Sequence, residues 1–207
     1  MSTARRKTRR ALADEIAEAI RLGAFRPGEW LRQIDLEEKF RATRFDVRTA
    51  LNELVVRKAI EHVPNRGHRV AEIDVETLKA LREVRVLIET AAVPAIVARI
   101  DAATLARLDD LARAFGAAVE TGTRAEQSRI NSDFHHLMYR LSGNPVLEEL
   151  IWNLRDRARG STLTFWPSHE ALRRSDRDHH AMVAALAARD AEELARLVAA
   201  HILKDDP

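Results

Sequence analysis

The sequence predicts a mainly α protein in two parts. Three helices and a β-hairpin come first, and an all-helical bundle follows from about residue 73. Three observations carry this. Apolar residues recur at helical spacing along most of the chain, and the β-prone runs AIEHV and HRVAEI occur only at residues 59–73. The charge also changes sign: residues 1–72 hold 16 Lys/Arg against 11 Asp/Glu, whereas residues 73–207 hold 18 against 21. A basic front suits a polyanionic partner.

Composition narrows the class further. A chain of 207 residues, 46% hydrophobic and 32% charged, is that of a globular protein able to bury a real core. With no cysteine, disulfides and thiolate metal sites are excluded. No apolar run approaches the roughly 18 residues of a membrane span. The basic N-terminus lacks an apolar signal core, so a cytoplasmic location is expected.

Residues 1–9 are expected to form a basic, disordered tail. Five of the six residues in RRKTRR (5–10) are basic, either as a solvated tail or as an arm that touches phosphate. In the first domain, residues 10–72, Leu12, Ile16 and Ile20 recur at helical spacing and Gly23 closes the helix. RPGEW (26–30) reads as a turn, and IDLEEKF (34–40) as a short second helix. Thr43 and Asp46 stand in a capping-box relation, so a third helix starts there. Val47, Ala50, Leu51, Leu54 and Val55 form its inner stripe. Arg48, Thr49 and Asn52 fall on the opposite side, with Arg44 at the mouth of the helix. PNRG then turns a hairpin with Gly67 at the turn. Three helices and a hairpin describe a winged helix-turn-helix. Its third helix would enter a major groove, where Arg and Asn can bond two positions on one base; the plainer reading is a solvated helix face beside an ordinary hairpin.

The same residues resemble the GntR family of bacterial transcription regulators. The match runs through G-x-x-x-PG-x-x-L (residues 23–31), the T-R-x-x-V-R-x-AL core (43–51) and the wing's Arg66-Gly67. The resemblance implies that Arg44, Arg48 and the wing tip contact DNA. Two departures stand out. Phe45-Asp46 replaces small residues or Thr-Pro, which places an acid near phosphates, and Lys58-Ala59 replaces a Glu/Asp-Gly pair.

From residue 73 to 207 the chain reads as a helical effector-binding and dimerisation domain. Asp74 is a candidate N-cap directly after the wing, which implies a stiff connection. Helices are expected at 74–99 with a kink near Pro94, then at 102–121, 125–142, 145–159, 176–188 and 191–203. Residues 160–175 are the least regular.

Histidines are the chemical signal here. In NSDFHH, Asn131 and His135 lie one turn apart on the margin of a stripe of Ile130, Phe134, Leu137 and Leu141, with Met138 also at its margin. His136 points away. His179 precedes Met182, Val183 and Leu186 on their apolar face, and His201 follows Leu194, Leu197 and Val198 on theirs. Any one of them reads most simply as a core or surface histidine. Three inward histidines with an inward Asn, gathered from several helices, instead suggest a shared Zn²⁺, Ni²⁺ or similar divalent ion. Asp178 is expected to face elsewhere.

This part is similar to the FCD class of effector domains. The resemblance rests on REVRVLIETAA (82–92), N-x-x-FH with SGNP (131–145), DHHAMVAAL (178–186), and His201 eleven residues after Asp190. It implies one metal on Asn131, His135, His179 and His201, with Asn where Asp is more common. Six helices would point to the shorter, VanR-like subgroup. Arg85 sits in the apolar stripe of Leu78, Leu81, Ile88 and Ala92. It is either an ion pair with Glu89 or, as the resemblance favours, a two-pronged clamp for an effector carboxylate. Trp152, Phe165 and Trp166 either line a pocket or belong to the core.

The expected protein is a homodimeric, ligand-responsive repressor. It would read a pseudo-palindromic operator and bind a metal and a small organic acid. The alternatives are a metal-free regulator whose helical domain only dimerises, and a metal-dependent hydrolase. Against the hydrolase, there is no HExxH helix and no evident carboxylate base.

Overall fold

The computed structural model describes residues 9–21, 23–158 and 168–203, and the chain divides between Ile73 and Asp74 into two compact units. In the first unit, α1 (Arg9–Arg21) is followed by the strand β1 (Trp30–Leu31), α2 (Gln33–Phe40), α3 (Arg44–Val56), β2 (Ile60–Val63) and β3 (Gly67–Val70). Thr43 caps α3: its side chain accepts from the Asp46 amide at 3.2 Å and donates to the Asp46 carboxylate at 2.6 Å. The predicted inner stripe is buried at Val47, Ala50, Leu51 and Leu54, while Val55 packs half-buried at its edge. Leu12, Ile16 and Leu36 complete that core.

The turn expected at RPGEW leads into a strand that the sequence does not announce. β1 pairs antiparallel with β3, giving the sheet order β1-β3-β2 with Leu31 opposite His68. Gly28 makes this possible. Its φ of +76° suits glycine, its amide donates to the Val70 carbonyl at 3.0 Å, and a Cβ there would lie 2.7 Å from the Glu72 carboxylate. Gly67 opens β3 at φ +106° rather than sitting inside the turn, where Asn65 takes the left-handed position.

The second unit comprises α4 (Val75–Arg99), α5 (Ala102–Thr121), α6 (Arg124–Arg140), α7 (Pro145–Ala158), α8 (His169–Ala187) and α9 (Ala191–Ile202). Asp74, Asp101, Ser168 and Asp190 each cap a helix by accepting a backbone amide. Thr123 and Glu126 form a full capping box on α6. α4 packs on α7 and α9, α5 on α6 and α8, and α8 on α9. These faces meet in a core of Ile96, Leu108, Phe134, Met138, Ile151, Met182, Leu186, Leu194 and Val198.

Two expectations need correction. α8 begins at His169, seven residues before the expected 176, because Ser168 caps it and Ala171, Leu172 and Ser175 extend its buried face. On α6 the buried face is turned relative to the predicted stripe. Met138 is fully buried, and Leu137 and Leu141 are only half-buried. That turn carries Asn131 and His135 inward from the margin. α4 stays one helix through Pro94, whose ring deletes an amide donor to the preceding turn. No described helix is long and apolar enough to cross a membrane.

Candidate metal centre and DNA-reading surface

Asn131 and His135 are presented by α6, His179 by α8 and His201 by α9. His135 is 1% exposed and His179 0%. The three rings form a near-equilateral triangle, with centroids 5.2, 5.2 and 5.4 Å apart. One nitrogen from each lies within 4.8 Å of the others. Nitrogens around a tetrahedral Zn²⁺ lie about 3.3 Å apart, given bonds of ~2.0–2.1 Å. Small ring rotations therefore close the set on an ion.

The surroundings favour the neutral imidazole of His135. Burial, then Arg155 and the neighbouring His179 and His201, hold His135 well below the usual histidine range. Neither of its ring nitrogens has a hydrogen-bond partner among the described residues, and the buried Asn131 Oδ1 also lacks one. Buried polar atoms are rarely left this way unless something absent from the protein meets them. Phe134 stacks on His179 at 4.4 Å and Phe115 packs edge-on at 4.8 Å, so the triangle has an apolar wall. The residues present therefore fit a divalent ion.

Asp178 contradicts the expectation that it faces away. Its carboxylate accepts from His201 Nδ1 at 2.8 Å, so Nε2 of that ring is the nitrogen that would meet an ion. Orienting a metal-binding histidine through a carboxylate on its far nitrogen is a recurrent arrangement. The periodicity of α8 alone turns Asp178 away from its apolar face, but α9 packs alongside and brings His201 to it.

Arg85 is paired as one of the two readings anticipated: its Nε donates to Glu89 Oε1 at 2.7 Å. Glu89 is wholly buried and also accepts from Arg155 at 2.8 Å and from the Tyr139 hydroxyl. Burial pushes the Glu89 carboxyl up, but Arg155 and Arg85 more than offset it and bring it down to about 2. Burial and the Glu89 charge push the Tyr139 phenol well above its usual range. Tyr139 lies one turn beyond His135 on α6, and the two rings stack at 6.1 Å. The hub thus adjoins the histidine triangle. Sequence reading missed Arg155 and Tyr139, although the Asn131, His135, Tyr139 spacing of four was visible. Trp152 is buried beside Arg155, whose guanidinium sits 5.4 Å from its ring, while Phe165 and Trp166 lie outside the described residues.

On the first unit, Arg44, Arg48 and Asn52 are exposed along α3, and Thr49 is half-buried with its hydroxyl donating to the Phe45 carbonyl. Asp46 is tied back to Thr43. At the wing, Arg66 is exposed and its guanidinium lies 5.0 Å above the Trp30 ring, beside Gly67. The tail at 1–8 lies outside the described residues.

A reading helix with exposed arginines, a three-stranded wing and a separate helical unit with a histidine triangle define a winged-helix DNA-binding regulator. Residues 8–70 match the GntR family of bacterial regulatory proteins and residues 80–204 match the FCD domain, so the chain belongs to the GntR regulators that carry an FCD domain. It is similar to the Nta operon transcriptional regulator of Aminobacter aminovorans, 28% identical over 180 residues, covering 87% of this chain and 84% of that protein. It is also similar to the HTH-type transcriptional regulator McbR of Escherichia coli K12, 29% identical over 184 residues, covering 86% and 82%. The solved E. coli McbR/YncC structure superposes with a TM-score of 0.85 at 26% identity, covering 94% of this chain and 92% of that one. These families and relatives are transcriptional regulators, not enzymes, and the hydrolase alternative is set aside.

Proposed function

We propose that the protein is a homodimeric, acid-responsive repressor. Its helical unit would hold a divalent ion, zinc or nickel, on Asn131, His135, His179 and His201, and a small carboxylate would reach Arg85. The observation that carries this reading is the convergence of three ring nitrogens, from the buried His135 and His179 and the half-buried His201, within 4.8 Å. A bound ion would supply open Lewis-acid positions for a carboxylate oxygen. The chain's own residues do the rest: Asp178 fixes the His201 tautomer, and burial keeps His135 neutral. The Glu89 hub holds the guanidinium of Arg85 in place.

An exposed apolar seam supports the homodimer. Val84, Leu87, Ala91, Pro94 and Ala98 recur on α4 at spacings of three and four, and Val146 and Leu150 are exposed on the neighbouring α7. A second copy covering this seam would give two reading helices for a pseudo-palindromic operator. Arg44, Arg48, Thr49 and Asn52 would meet base edges or phosphates, and Arg66-Gly67 the flanking backbone. Acid binding then alters operator affinity by its differential affinity for the two states, typically worth about 1–3 kcal/mol.

Elemental analysis of untagged protein tests the core of this reading. Near-stoichiometric zinc or nickel that falls sharply in His179→Ala is expected. Protein that stays metal-free after incubation with both ions, with and without small carboxylic acids, overturns it.

A further inference from the structure

The charges around the histidine triangle do not balance once a cation enters. Three neutral histidines and the neutral Asn131 bring no negative charge. The linked groups among the described residues are Arg85 and Arg155, both positive, and Glu89 and Asp178, both negative. These four cancel, so a divalent ion would leave a charge of +2 in a largely buried compartment. Isolated buried charge is costly, and the ordinary remedy is a counter-charge. An aspartate at position 131 would remove half of that excess. This chain has Asn131.

A second, independent observation points to an anion. Arg155 is 5% exposed, yet its Nε is a buried donor with no acceptor among the described residues. The Nε1 of Trp152, one turn earlier on α7, is likewise buried and without an acceptor. Arg155 sits 5.7 Å from the Tyr139 ring and 5.4 Å from the Trp152 ring. After burial, it is the strongest influence on His135. The spare donor therefore lies within electrostatic reach of the triangle. Asn131, His135 and Tyr139 lie four residues apart on α6, which links the metal end to the arginine end.

We propose that this compartment binds a divalent metal tightly only together with a doubly charged acid, with Arg155 holding the carboxylate distant from the metal and Asn131 leaving the missing negative charge to the ligand. This rests on the metal reading above and adds the ligand's charge class, dicarboxylate rather than monocarboxylate. Linkage makes the effect reciprocal: whatever factor the acid adds to metal affinity, the metal adds to acid affinity.

The test is zinc affinity of the full-length protein by competition with a chromogenic chelator, at constant ionic strength and corrected for zinc held by the acids. Succinate, glutarate, malate and 2-oxoglutarate are compared with acetate and propionate. At least one dicarboxylate should tighten zinc tenfold or more, and the monocarboxylates less than threefold. Asn131→Asp should bind zinc more tightly without any acid and lose most of the enhancement. Arg155→Lys should also lose the enhancement. Zinc affinity that no dicarboxylate changes, or that acetate raises equally, overturns the coupling while leaving the metal site standing. Equal enhancement in Asn131→Asp overturns the role given to Asn131. No zinc binding with or without acids overturns the metal reading itself.

Discussion

Glu89→Gln should be the most damaging isosteric change in the helical unit. The substitution keeps size and shape but removes the carboxylate that faces Arg85 at 2.7 Å, Arg155 at 2.8 Å and the Tyr139 hydroxyl. Glu89 is wholly buried and its carboxyl lies near 2 rather than the ordinary 4.5. A difference of about 2.5 units at ~1.36 kcal/mol each is about 3 kcal/mol in favour of the charged form. Removing one partner of a buried ion pair costs about 3–5 kcal/mol by comparison with other proteins, so the two figures agree in scale. Urea unfolding followed by circular dichroism at pH 7 is the assay, with Tyr139→Phe as the control for one lost hydrogen bond, about 1 kcal/mol. The carboxyl is lower in the fold than in the unfolded chain. Its contribution is therefore complete above about pH 4.5 and lost as the pH falls through about 2. The gap between wild type and Glu89→Gln should narrow over the same window. A loss below about 1 kcal/mol at pH 7 would refute the picture of a dry, ion-paired hub.

Arg44→Ala and Arg48→Ala should each weaken specific operator binding by about 1–3 kcal/mol in fluorescence anisotropy, while Arg66→Ala should act similarly on all sequences and flatten the salt dependence. Leu87→Glu places a charge on a side chain 70% exposed in the α4 seam; light scattering should report a dimer for wild type and a monomer for the variant, with the helical content unchanged. Lys58 sits at φ 57°, which disfavours any residue with a Cβ. Lys58→Gly should therefore raise stability by about 0.5–1 kcal/mol in urea, and a loss would mean that its side chain makes a contact worth more than the strain.

The elements that the sequence announces are those with local signals. Thr43 and Asp74 mark their helices because the caps bond amides within three residues. β1 carries no such mark, since two residues become a strand only by pairing with β3, almost forty positions later. The early start of α8 is hidden in the sequence because its first turns are rich in charge, with Glu170, Arg173 and Arg174 masking the apolar face that Leu172 and Ser175 continue. The histidine triangle was legible because each ring shares a face with a run of aliphatic neighbours. Asp178 and Arg155 were not, because their partners His201 and Glu89 lie 23 and 66 residues away and no helical period encodes such a meeting.

The stacking of Arg66 on Trp30 gives the wing its own optical reporter. A guanidinium 5.0 Å above an indole that is 38% exposed perturbs its emission, and drawing that guanidinium off toward a phosphate removes the perturbation. Trp30 is the one tryptophan before residue 152. With Trp152 and Trp166 replaced by phenylalanine, its intrinsic fluorescence would follow the wing's arrival on a duplex in real time, without a dye. The burst it records would time the wing separately from the reading helix.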